Sequence, residues 1–179
     1  MKKIIPILFV CILSACSNET IIKSPNALLL EIKDYSCKMC IYSYSNKNST
    51  EYSAIQSYSS SGKYSMEFLD NENLKINYEN SILNITSKLF NNELKLENYT
   101  ELNQNPLFLS YFINTYFNTE ETGNIQITQN SIHIMLPNYN NELYSAELTF
   151  NNNLPYTLTY FDKNGNEKVN IIYSEFTFI

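Results

Sequence analysis

A two-residue period in side-chain character recurs from Tyr35 to the end of the chain, and it constrains the fold more than any other feature. Along SCKMCIYSYSN, Cys37, Met39 and Ile41 fall on one side and Cys40, Tyr42 and Tyr44 on the other. TEYSAIQSY groups Tyr52, Ala54, Gln56 and Tyr58, and YSMEF groups Tyr64, Met66 and Phe68. Successive side chains of an extended chain point to opposite faces, so each stretch predicts a strand with one apolar face. LKINY, ILNIT, NIQITQ, SIHIMLP, ELYSAELTF, LPYTLTYFD and EKVNIIYSEFTFI continue the pattern, while ELKLE is ambiguous. Runs of Asn, Ser and Gly between them read as turns, giving about nine or ten strands in an antiparallel meander. Asn164-Gly165 in DKNGNE predicts a tight hairpin with positive φ at both turn positions.

Two stretches break the period. SPNALLLEIKDY predicts a short helix, capped by Ser24 or Asn26, with Pro25 in its first turn and Leu28, Leu29 and Ile32 as its apolar stripe. NPLFLSYFINTYF predicts a second, with Asn105 as cap and Pro106 at the first helical position. Leu107, Phe108, Tyr111, Phe112, Ile113 and Phe117 spread apolar groups round most of its circumference, which predicts a buried helix in the concavity of a curved sheet. The expected class is α+β: a curved antiparallel β half-barrel enclosing two helices.

The first residues carry an address. Lys2 and Lys3 precede a short apolar run, Ile4 to Leu13, and Leu13-Ser14-Ala15-Cys16 reads as the lipobox of a bacterial lipoprotein. The expected organisation is a signal peptide over 1–15, a lipid-anchored tether over 16–25 and one domain over 26–179. Cys16 is the lipidation site, and its diacylglycerol holds the protein on the extracytoplasmic face of a membrane. Loss of Lys2 and Lys3 takes the net charge from -6 to -8, which argues against nucleic acid and against electrostatic docking on anionic lipid.

Chemistry-bearing residues are sparse: one His, three Asp and no Arg. The CxxC at Cys37 and Cys40 lies in a predicted strand, where residues three apart face opposite ways and cannot share a metal or a substrate. A redox CxxC sits where a strand gives way to a helix, and a zinc ribbon needs a second pair. The two cysteines therefore read as buried or half-buried thiols. A disulfide, within the pair or between chains, is the alternative in an extracytoplasmic compartment. His133 alternates with Ile132 and Ile134 as a strand residue on the more polar face. DKNGNE lacks the glycine position and distal Glu of a calcium loop, and Glu120-Glu121 read as a solvated loop. No catalytic residue, metal site or cofactor is predicted. The fifteen Tyr and ten Phe suit a packed sheet face, a protein interface or an apolar ligand groove, and the sequence does not separate these. Exposed edge strands could pair two copies into a homodimer.

Longer stretches carry a resemblance. IKDYSC at 32–37, SNK at 45–47, IQSYSSSGKYSMEFL at 55–69, NPLFLSYFINTYF at 105–117 and the tail LPYTLTYFDKNGNEKVNIIYSEFTF resemble the clostridial germination lipoprotein GerS family, within the LolA/LolB-like fold. The likeness covers nearly all of 26–179. It implies a non-enzymatic lipoprotein of the developing spore, on the forespore membrane, that binds and licenses a CwlD-like cortex N-acetylmuramoyl-L-alanine amidase. Ser65 stands where that family leads one to expect a basic residue, which leaves room for a different partner. The fold also implies an alternative, a carrier-type module that takes lipid or lipoprotein acyl chains in its half-barrel cavity.

Overall fold

The structure, a computed structural model, describes residues 22–45, 48–70, 74–100, 105–119, 124–137 and 142–179. Along these run α1 (Pro25–Glu31), β1 (Tyr35–Tyr44), β2 (Ser49–Ser59), β3 (Lys63–Phe68), β4 (Leu74–Glu79), β5 (Ile82–Ser87) and β6 (Asn92–Glu97), followed by α2 (Leu109–Thr119), β7 (Ile125–Ile127), β8 (Ser131–Met135), β9 (Ser145–Asn151), β10 (Leu154–Phe161) and β11 (Glu167–Phe178). The eleven strands form one open sheet in the order β6-β5-β4-β3-β2-β1-β11-β10-β9-β8-β7. Two meanders thus meet where β1 pairs antiparallel with β11, from Tyr35↔Phe178 to Ser43↔Val169. The ambiguous ELKLE is β6, an edge strand exposed along its length and held by its ladder to β5. No described helix is long and apolar enough to cross a membrane.

Turn chemistry follows the residues available in a chain with three glycines. Asn80-Ser81 (φ 53° and 62°) and Asn152-Asn153 (φ 50° and 62°) make the two-residue links β4–β5 and β9–β10. Their side chains tolerate the left-handed region that such hairpins require. The expectation at Asn164-Gly165 is corrected: of the two, only Gly165 has positive φ, at 80°. Asp162 takes over the turn, accepting from the N–H groups of Asn164 (2.8 Å) and Asn166 (3.0 Å), while Gly165 N–H donates to the Asp162 carbonyl at 3.0 Å. A side-chain acceptor inside the loop thereby favours a longer turn over the two-residue form.

One face of the sheet is the core. Leu28 and Leu29 from α1, Ile32 capping its end, and Phe108, Leu109, Phe112, Ile113 and Tyr116 from the α2 segment, pack on Met39, Ile41, Met66, Ile134, Leu148, Leu158 and Ile171. A row of rings crosses it: Tyr35, Tyr58, Tyr64 and Tyr78 are direct cross-strand partners, with centroids 4.8–5.6 Å apart. Phe108 meets Tyr64 edge-on at 5.6 Å. Such geometry adds to the area each ring buries. A bulge in β11 keeps the pattern in phase. Register slips between Ser36 and Lys38, Glu175 takes φ 48°, and Phe176 turns inward to stack on Tyr35 at 5.2 Å.

Ser24 caps α1, its hydroxyl accepting from Ala27 N–H at 3.4 Å, with Pro25 at the start as predicted. The second helix begins later than expected. Asn105 still caps, its Oδ1 accepting from Leu107 N–H at 3.0 Å, but it caps a single turn, and α2 proper starts at Leu109. Gln56 explains the break. Fully buried in β2, its Nε2 donates to the Leu107 carbonyl (3.0 Å) while its Oε1 accepts from Leu109 N–H (3.4 Å) and the Tyr35 hydroxyl (2.6 Å). The main chain of 107–109 is held on the sheet rather than continued upstream as helix.

The strand pairings give the sheet two ends. At the entry end the chain arrives at residue 22, and Lys23 N–H donates to Asn153 Oδ1 at 3.0 Å. Here Asp34 clamps the β2–β3 turn, accepting from Ser59 Oγ (2.7 Å) and Ser60 N–H (2.8 Å). The far end holds the close of β1, the start of β2, the close of β3 and the Asp162 turn.

Candidate functional site

At the far end α2 no longer covers the core face, and a cavity of about 470 Å³ opens. Ile41 and Ser43 from β1, Tyr52 from β2, Phe68 closing β3, Leu74 opening β4, Val169 from β11 and Leu107 above them line it. Glu51 and Asp70, both exposed, complete the lining at its rim, the Glu51 carboxylate reaching Cys40 on the other face of the sheet. The site arises from a mismatch in strand length. The last ladder pair between β2 and β3 is Ala54↔Phe68, so Ser49–Ser53 run on past β3. Ser53 turns its main chain into that gap, its carbonyl accepting from Leu69 N–H (2.8 Å) and its N–H donating to Asp70 Oδ2. Glu51, two residues on, turns its main chain the same way.

The electrostatics are one-sided. Glu51 Oε1 accepts from Cys40 Sγ at 3.2 Å, and neither Glu51 nor Asp70 is in a salt bridge with a described residue. Burial pushes the Cys37 thiol up to about 12. Cys40 is also raised, by burial first and then by the Glu51 and Asp70 charges, against a hydrogen bond with Tyr42 that lowers it. Hydrogen bonding to Cys40, with the charges of Cys40 and Glu51, brings Tyr42 to about 12. A reactive cysteine needs positive surroundings that favour thiolate, and these two have the reverse.

The residues singled out from sequence are dispersed. Cys37 is buried and Cys40 half-buried on opposite faces of β1, both as free thiols. His133 lies half-buried in β8 opposite Glu147 and Gln126, its ring 6.5 Å from Phe161. Cys16 and Glu120-Glu121 lie outside the described residues. Among the described residues no three His, Cys, Asp or Glu come together as metal ligands. The tyrosines divide: Tyr35, Tyr64, Tyr116, Tyr160 and Tyr173 are core, while Tyr52, Tyr144 and Tyr156 are exposed. Sequence reading missed the cavity, because its walls come from five separated stretches and no local spacing joins Ile41, Phe68, Leu107 and Val169.

The architecture defines a class, an open antiparallel sheet with two helices packed on one face, and solved structures share it. The chain is similar to a chain of the CwlD amidase from Clostridioides difficile in complex with the GerS lipoprotein, with 20% identity, TM-score 0.54, and 84% of this chain and 89% of that one covered. It is similar to an uncharacterized conserved protein from Thermus thermophilus at 9% identity and TM-score 0.54, covering 86% of each. A looser likeness, TM-score 0.40 at 10% identity over 88% and 94% of the two chains, is to the LolA superfamily protein NE2245 from Nitrosomonas europaea. A search of curated proteins finds no match. The chain belongs to the YdcC-like sporulation protein family, whose model matches residues 1–178. The resemblance thus holds as membership of a sporulation family and as a fold shared with a chain of the amidase–lipoprotein complex.

Proposed function

We propose that this protein is a non-catalytic partner protein of the developing spore, anchored through acylated Cys16, that binds and licenses a cortex N-acetylmuramoyl-L-alanine amidase. Membership of a sporulation family carries the reading. Fold likeness to a chain of the Clostridioides difficile amidase–lipoprotein complex supplies the class of partner. The lipobox supplies the anchor, on the extracytoplasmic face of the forespore membrane. One-sided burial supports a sheet bent as a half-barrel round α2. With the chain entering the described domain opposite the far end, an anchor at Cys16 would leave the acid-rimmed cavity facing away from the bilayer, where a peptidoglycan enzyme works. The test is retention of the sporulation amidase on the immobilised protein, paired with muropeptide analysis of deletion spores. The reading predicts a complex at micromolar concentration and cortex lacking the amidase product. An amidase that passes unretained, with normal cortex in the deletion strain, overturns it.

A second reading rests on the cavity itself: an apolar space of about 470 Å³ could take an acyl chain. Native mass spectrometry separates the two, since a carrier copurifies with lipid and a partner protein is recovered empty.

A further inference from the structure

The far-end cavity joins two kinds of recognition surface. Its walls are apolar, while Glu51, whose carboxylate reaches Cys40 on the other face of the sheet, and Asp70 stand exposed at its rim without a described counter-cation, and no described lysine lines it. Each carboxylate has one described hydrogen-bond donor, the Cys40 thiol for Glu51 and Ser53 N–H for Asp70. A carboxylate offers about four acceptor positions, so the described donors leave most of their capacity to the exposed rim. Beside them β2 runs past β3, and the main chain of Glu51 turns toward the gap with no described partner strand. A strand edge without a described partner, an apolar pocket and negative charge without a described counter-cation lie side by side.

We propose, building on the partner-binding reading, that this cavity docks an extended basic segment of a protein partner. An apolar side chain of the segment enters between Ile41, Phe68 and Leu107. Its Lys or Arg neighbours meet Glu51 and Asp70, and its main chain pairs with β2 at Glu51. Added-strand recognition works in this way, main-chain bonds giving affinity and alternate pockets giving specificity. The Tyr52 ring, exposed and edge-on to Phe68 at 6.3 Å, offers a face for the cation. Charge selects against the competing occupant: a phospholipid would bring its phosphate to two carboxylates on a chain of net charge -6. Because Gln56 pins the Leu107 wall, the pocket is preformed, and binding costs little ordering.

The test uses the purified protein and a fluorescein-labelled peptide of alternating Lys and Phe, with its Glu-for-Lys counterpart, oleate and phosphatidylglycerol vesicles as comparators. The Lys peptide binds and weakens as salt is raised, whereas the Glu peptide does not bind. Glu51→Gln with Asp70→Asn keeps both acceptors and the melting temperature but weakens the Lys peptide about tenfold. Val169→Phe fills the pocket without touching either carboxylate and weakens it comparably; should the double variant misfold, this variant decides. Equal binding of the two peptides, unchanged affinity in the variants, or binding of oleate or vesicles in place of the Lys peptide overturns the proposal. The amidase arm separates the two readings. Retention by wild type and loss by the double variant supports both. Equal retention overturns the docking site and leaves partner binding standing. An amidase retained by neither, with the Lys peptide still bound, removes the partner reading and leaves the site.

Discussion

Gln56 does at the scale of one residue what a helix cap does elsewhere: it satisfies main-chain groups of another segment inside the core. Replacing it with Leu would strand the Leu107 carbonyl, the Leu109 N–H and the Tyr35 hydroxyl. A buried polar group left unpaired costs about 1–3 kcal/mol, so Gln56→Leu is expected to lose at least about 2 kcal/mol, read from urea midpoints. Tyr173 gives the converse. Its buried hydroxyl has no partner among the described residues, and burial holds its pKa well above the ordinary range. Tyr173→Phe is therefore expected to be neutral or stabilising, within about 1 kcal/mol. A wild-type midpoint for Gln56→Leu, or a large loss for Tyr173→Phe, would contradict these assignments. The alternation around Ala54 and Tyr58 was enough to put Gln56 on the inner face. Its role was not legible, because its partners lie 51 and 53 residues downstream. Glu51 and Asp70 were silent for a related reason: both are solvated, and a solvated carboxylate at a strand end carries no sign of the apolar cavity that distant residues form beside it.

Among the elements, α2 concentrates the core, with Leu109, Phe112 and Tyr116 all but fully buried. Removing one large ring there leaves a cavity that rigid strands do not fill. Phe112→Ala is expected to cost about 3–5 kcal/mol, seen as a lowered urea midpoint at unchanged slope. Phe117, exposed near the end of the same helix, should tolerate Ala within about 1 kcal/mol. Both helices were readable from Pro, cap and stripe, and most strands from their period. The start of α2 was misplaced because the 3.6-residue pattern in PLFLSYF continues through residues whose main chain Gln56 engages. ELKLE was ambiguous because β6 buries neither face, and a strand held by main-chain bonds leaves a weak trace in side-chain character.

At the scale of the molecule, strand order was the least legible property. A period of two says that each stretch is a strand and which face is inside, but not its neighbour, and nothing local reveals that β1 and β11 meet at the centre. Both ends of the sheet are tied by aspartates, and that has a pH signature. Asp162 is lowered to about 2, first by the Asn166 side-chain amide, then by the N–H groups of Asn166 and Asn164 and by the Lys168 charge. Asp34 is lowered by the Ser59 hydroxyl and then by Ser60 N–H. Folded pKa values below the unfolded value of about 3.9 mean that both contributions are present above about pH 4 and fade as pH falls toward 2. The stability advantage of wild type over Asp162→Asn should thus be constant from about pH 7 to 5 and shrink from about pH 4 to 2. Denaturation midpoints across that range check it, and an advantage that persists at the acid limit would refute it.

The sheet never closes, so β6 and β7 each have one side without a described partner strand. The chain deals with the two margins differently. β7 is three residues long, too short to template a partner. β6 is twice that length, but it alternates charge with leucine, and Lys95 forms a 2.9 Å ion pair with Glu97 on one exposed face. A bare β6 would invite stacking of copies edge to edge into ribbons. A hydrated ammonium midway along the strand makes each sideways collision carry a desolvation cost, so crowding need not become fibre growth.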